Sequence, residues 1–118
     1  MRTRNIRLLP LGQVVITNSL LTEFGEKLDE AFGKYGWLSE EDFAGPKARF
    51  LAGAIANLLD RHSSRDWGEV DFEDALANDY AVEHDEGVLS SYVMFGLKIW
   101  IITEWDRSVT TVLRPSDY

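Results

Sequence analysis

VLSSYVMFGLKIWIITEWDRSVTTVLR, residues 88–114, decides the fold. Its runs 88–95, 98–104 and 108–114 are rich in Val, Ile, Thr, Tyr and Trp, side chains that suit a pleated, half-buried strand. Two or three residues separate each run from the next, which leaves room for hairpins alone, so the runs form an antiparallel meander. Gly96-Leu97 fits a two-residue turn with glycine first, and Trp105-Asp106-Arg107 a slightly longer one. In the middle run Ile99 and Ile101 face one way while Trp100 and Ile102 face the other, as in a central strand covered in part on both faces.

Upstream the period changes. Leu21, Phe24, Leu28, Ala31, Phe32 and Tyr35 recur at three- and four-residue spacing, which predicts a helix over 19–34, closed by Gly33 and Gly36. Ser39 to Asp42 looks like a capping signal, broken by Gly45-Pro46. Pro46 opens a second helix, 46–62, with Phe50, Leu51, Ala54, Ile55, Leu58 and Leu59 as its stripe. Asp71 caps a third, 71–85, in which Phe72, Ala75, Leu76, Tyr80 and Glu83 share a side and Gly87 is the stop. The β-branched run 11–17 is a further strand. These elements predict one α+β domain over 1–118: a small, mostly antiparallel sheet, its N-terminal strand beside the C-terminal meander, covered by about three helices.

A chain of 118 residues is too short for two independent cores. It has no cysteine, which excludes disulfides, thiolate metal ligands and a thiol nucleophile. No apolar run approaches a membrane span and 1–10 lacks the core of a signal peptide, so the expected setting is soluble and cytoplasmic. Net charge is −8, and it is concentrated: residues 66–86 hold nine acids and no Lys or Arg, whereas 1–18 hold Arg2, Arg4 and Arg7 and no acid. Such a field repels phosphates and attracts cations or basic protein surfaces, so direct nucleic-acid binding is disfavoured.

RHSSRDWGEVDFEDALANDY, residues 61–80, holds the candidate chemistry. His62, Asp66, Glu69 and Asp71 are donors for a metal, but they match no ligand spacing, and two histidines are few for zinc; no metal or cofactor is expected. As a catalytic set, His62 would be a general base oriented by Asp66 or Asp71, with a serine nucleophile and with Glu104, Asp106 and Arg107 at a strand end. No nucleophile elbow or phosphate-cradling loop accompanies them. The plainer reading has His62 closing a helix C-terminus as a cation and Asp66 making an Asx-turn. Trp67 plugs a gap and needs a partner for its N–H, and the acids favour a helix N-terminus. Asn78-Asp79 stands outside it, since neither residue is preferred in mid-helix.

Leu11-Gly12-Gln13-Val14-Val15, Arg61-His62, Asp66-Trp67-Gly68-Glu69, Glu73-Asp74 and Asn78-Asp79 form a pattern with residues of the C-terminal third. Those are Leu89-Ser90-Ser91-Tyr92, Ile99 to Glu104, Asp106-Arg107-Ser108, Thr110-Thr111, Pro115 and Tyr118. The pattern resembles a family of small bacterial, plasmid and prophage proteins for which no activity is established. The chain departs from it in a longer 19–57 segment and in Arg65, where a glycine usually precedes Asp-Trp-Gly. What the resemblance implies is a mobile-element setting and a fold, not a reaction.

Two functions follow as expectations. The first is non-enzymatic binding of a protein partner through Asp66, Trp67, Glu69, Asp71, Glu73, Asp74, Asn78 and Asp79. In its sharper form this is an acidic inhibitor of a nucleic-acid-binding host defence complex, of anti-CRISPR or anti-restriction type. The alternative is a small hydrolase or nuclease-like enzyme in which His62, Asp66, Glu104 and Arg107 converge. Trp37 and Trp105 are further candidates for contact anchors; the oligomeric state is not legible.

Overall fold

The computed structural model describes residues 8–32 and 46–118. In chain order the elements are β1 (Gln13–Ile16), α1 (Asn18–Phe32), α2 (Pro46–Ser63), α3 (Phe72–Glu83), β2 (Val88–Met94), β3 (Leu97–Thr103) and β4 (Val109–Leu113), followed by a short helical turn, Pro115–Asp117. The four strands make one sheet in the order β1-β4-β3-β2. β2, β3 and β4 are the antiparallel meander, and β1 joins its far edge parallel to β4, with Gln13 opposite Val109. The fold is α+β, as the alternation of periods predicts.

The first hairpin turns one residue earlier than the glycine-first reading has it. Phe95 and Gly96 are the loop, both at positive φ (54° and 75°), and Leu97 is already paired with Met94. This turn suits the twist of a tight hairpin. It also keeps Leu97 on the core face, where it is buried, and lets the Phe95 ring meet Phe24 edge-on at 6.0 Å.

One sheet face carries Val88, Ser90, Tyr92, Leu97, Ile99, Ile101, Thr103, Thr110 and Val112, all buried. Over it lie Leu20, Phe24 and Leu28 of α1, at four-residue spacing, and Ile55 and Leu58 of α2. Burying each such side chain contributes about 1.5–3 kcal/mol. A second cluster, made by Leu9, Trp67, Ala81, Val82 and Val88, seats α3 at the start of β2. On the opposite sheet face Trp100 and Ile102 are half-buried. Arg114, paired with Glu23 at 2.5 Å, and Asp117, which accepts from Thr17 at 2.9 Å and Ser19 at 2.5 Å, bind the C-terminal turn to the start of α1.

Among the described residues no helix is long and apolar enough to cross a membrane. The capping signal at 39–42, Gly33, Tyr35, Gly36, Trp37 and the three N-terminal arginines lie outside the described residues.

Candidate binding surface around the third helix

His62 sits on the core stripe of α2, one turn beyond Leu58, and its ring is fully buried. It is not the helix-closing cation of the plainer reading. Nδ1 contacts the Ser90 hydroxyl, and Nε2 lies 2.8 Å from that of Thr103. Thr103 is 2.7 Å from Thr110, whose hydroxyl donates to the Leu11 carbonyl at 2.6 Å. A carbonyl only accepts, so the row has one direction: Thr103 donates to Thr110, and His62 Nε2–H donates to Thr103. Nε2 thus carries a proton, and in the neutral imidazole that burial favours Nδ1 accepts from Ser90. Burial pushes its pKa down to about 4, with the positive charge of Arg107 adding to the shift. Both nitrogens are occupied by hydroxyls, and no carboxylate orients the ring.

The other members of the catalytic alternative have separate duties. Asp66 pairs with Arg61 at 2.8 Å, and that hydrogen bond holds its carboxyl below the usual range. Its Oδ1 also accepts from Gly68 N at 3.3 Å, the expected Asx-turn. Arg107 donates to the carbonyls of Glu86 (2.6 Å), Ala81 (2.9 Å) and Glu104 (3.1 Å), which puts a cation on the C-terminal carbonyls of α3. Glu104 and Asp106 are exposed in the turn between β3 and β4, where Asp106 accepts from Ser108 N at 3.0 Å. The four residues do not assemble into one constellation around the imidazole.

The loop before α3 is locked from both sides. Gly68, at φ 74°, bridges to Ser91, and a Cβ there would collide with the Ser91 carbonyl and the Tyr92 ring. Tyr92 donates its hydroxyl to the Asp66 carbonyl at 2.7 Å, and burial raises its pKa to about 12. The Arg61 guanidinium lies 4.7 Å over the same ring. Trp67 is buried, and its N–H donates to Asp79 at 3.0 Å. Arg65 pairs with Asp79 (3.3 Å) and Glu83 (3.0 Å). It does so from φ 69°, a left-handed conformation that favours the glycine expected here from the resemblance.

Asn78-Asp79 now has a structural account. Asn78 donates to the Leu89 carbonyl at 2.8 Å and accepts from the Leu89 N–H at 3.2 Å, as a neighbouring strand would. Together with Glu69 N on Ser91 O (2.6 Å) and Ser91 N on Trp67 O (3.1 Å), it closes the outer edge of β2. A cleft of about 230 Å³ lined by Val70, Asp74, Ala77, Asn78 and Leu89 lies beside this contact. It is smaller than the roughly 300–1,000 Å³ of ordinary ligand sites.

The side of α3 on which its spacing gathers Phe72, Leu76 and Tyr80 faces solvent. Phe72, Leu76 and Tyr80 are 77%, 53% and 55% exposed, whereas Asn78, Ala81 and Val82 are buried. Trp67 and Leu9 fill the space against the smaller residues, and the Asn78 amide needs the strand edge, so the helix turns its large side chains outward. Asp71 caps the helix by accepting from Asp74 N at 2.7 Å. Glu69, Asp71, Glu73 and Asp74 form no ion pair with a cation among the described residues, while Arg61 and Arg65 engage Asp66, Asp79 and Glu83. Among the described residues no group of three or more His, Asp or Glu side chains is placed to hold a metal ion.

Of the eight binding candidates, Asp66, Trp67, Asn78 and Asp79 are engaged inside the fold, Asp71 is exposed but caps α3, and Glu69, Glu73 and Asp74 are exposed. Missed from sequence were the hydroxyl row Ser90, Thr103 and Thr110, and the outward stripe of α3. The row had a signal: polar residues at inward positions of three strands, beside a histidine on a core stripe. Trp105, 64% exposed, does project from its turn. Comparison with known proteins gives no family model, no curated protein and no solved structure that matches this chain.

Proposed function

We propose that the chain is a non-enzymatic binding protein that engages a basic macromolecular surface through its acidic 66–86 segment. In a mobile-element setting, a nucleic-acid-binding defence complex offers such a surface, and the chain then acts as its inhibitor. One observation carries this reading: Glu69, Asp71, Glu73 and Asp74 lie on and just before the first turn of α3 without a cation, while Arg61 of α2 and Arg65 just after it are spent on other carboxylates. Opposite potentials steer encounter and set salt dependence. The occupied imidazole of His62 speaks against a general base.

The test is capture by tagged protein from nuclease-treated lysate of a bacterium with active defence systems, at low and high salt. The control carries Glu69→Lys, Glu73→Lys and Asp74→Lys, and keeps Asp71 because it caps the helix. A nucleic-acid-binding complex retained by the parent chain and lost by the control supports the reading. Equal retention by both, or nothing retained by either, refutes it.

A further inference from the structure

Phe72, Leu76 and Tyr80 lie four residues apart, so they form one ridge along α3 about 12 Å long, at about 1.5 Å per residue. At about 100° per residue they span an arc of about 80°, with Glu73 on one flank and Asp79, paired with Arg65, on the other, while Glu83, also paired with Arg65, lies in line with the ridge just beyond Tyr80. His84 extends the ridge by stacking on Tyr80 at 3.7 Å. Single exposed apolar residues are ordinary; a continuous row of three large ones on a well-capped helix is not. From this we infer that α3 docks against a basic amphipathic helix of a partner protein, the Phe72-Leu76-Tyr80 ridge entering a groove between that helix's apolar side chains while its Lys or Arg residues meet Glu73 and the other carboxylates at the start of α3 that no arginine engages.

The inference rests on the acidic-surface reading and adds the partner's shape and its apolar component. Ridges of residues four apart are what helices use to pack on one another. A bare phosphate-binding channel would match the carboxylates and leave the ridge in water. A second copy is opposed by charge, because two α3 helices face to face would bring carboxylates together. An anionic membrane is opposed for the same reason.

The full-length chain is titrated with two synthetic probes of equal charge, an amphipathic Leu/Lys helical peptide and an oligolysine. Affinity is read by fluorescence anisotropy and location by amide chemical shifts. The Leu/Lys peptide should bind at least about tenfold tighter than oligolysine, with shifts along α3. Replacing Phe72, Leu76 and Tyr80 together by Ala should erase that difference and leave oligolysine binding unchanged. These side chains point to solvent, so the near-UV spectrum of the buried Trp67 should persist as the check on folding. Equal affinity for the two probes, an advantage that survives the triple substitution, shifts centred on the sheet face at Trp100, or self-association through α3 would each overturn the inference. In those cases the acidic-surface reading stands so long as oligolysine binds. If neither probe binds, both fall.

Discussion

His62 Nε2 donates to the Thr103 hydroxyl across 2.8 Å inside the core, and the carbonyl of Leu11 at the far end of the hydroxyl row fixes the direction of that bond. The neutral ring has a consequence for acid stability. With a folded pKa of about 4 against an ordinary 6.5, the unfolded chain takes up a proton first as pH falls. Stability is therefore lost from about pH 6.5 down to about pH 4, by about 3 kcal/mol from this group. Urea unfolding across that range, beside His62→Gln, checks it: the substituted chain should lack this component. An imidazole that titrates near 6.5 in the folded protein would refute the prediction.

Gly68 and Gly96 both have positive φ but differ in surroundings. A methyl group at 68 meets the Ser91 carbonyl and the Tyr92 ring, whereas at 96 nothing lies within 4 Å. Gly68→Ala should destabilise by about 3 kcal/mol from strain and overlap together. Gly96→Ala should cost about 1 kcal/mol from backbone strain alone. Comparable losses in denaturant titrations of the two would count against the assigned role of Gly68.

Asn78→Ala removes both bonds to the Leu89 backbone and should destabilise by about 2 kcal/mol. The sharper readout is hydrogen exchange. The Leu89 amide should lose protection, while Ile101 in the middle of the sheet keeps its own relative to global stability. An unchanged Leu89 rate would show that the side chain does not seal the edge.

Ser91 is nearly buried, and its hydroxyl has no hydrogen-bond partner among the described residues. Its backbone, by contrast, is fully used. Ser91→Ala should leave stability unchanged or raise it by up to about 1 kcal/mol, since an unsatisfied buried hydroxyl is a cost. A clear loss in thermal unfolding would reveal a partner for that oxygen.

Arg65→Gly sets two effects against each other. It relieves a left-handed residue, a gain of about 1 kcal/mol, and removes partly exposed ion pairs to Asp79 and Glu83 that contribute about 0–1 kcal/mol. The net change in unfolding free energy should stay under about 1 kcal/mol. A loss well above that would make Arg65 the anchor of the loop.

The sheet was legible because its signals are local: β-branched runs, short gaps and a glycine at the first hairpin. α1 and α2 were legible for the same reason: Phe24 and Leu28, and Ile55 and Leu58, are buried at the expected spacing, although Leu21 and Phe50 of the same stripes are exposed and Leu20 takes the buried place at the start of α1. α3 was not. Its period correctly predicts a helix, but which side packs depends on Trp67 and Leu9, which come from elsewhere in the chain, and on a backbone edge that only Asn78 can reach. His62 failed differently. Its neighbours in sequence, Asp60, Arg61, Ser63 and Ser64, are all polar, while its neighbours in space are hydroxyls 28 and 41 residues away.

β1 lies beside β4, the strand furthest from it in sequence, and Gln13 pairs with Val109. During synthesis β1 therefore waits until residue 109 is made: at roughly 5–20 residues per second, the delay is about 5–20 s. Until then α1 and α2 have at most the β2–β3 hairpin to cover, and part of their apolar stripes stands open to chaperones and to neighbouring nascent chains.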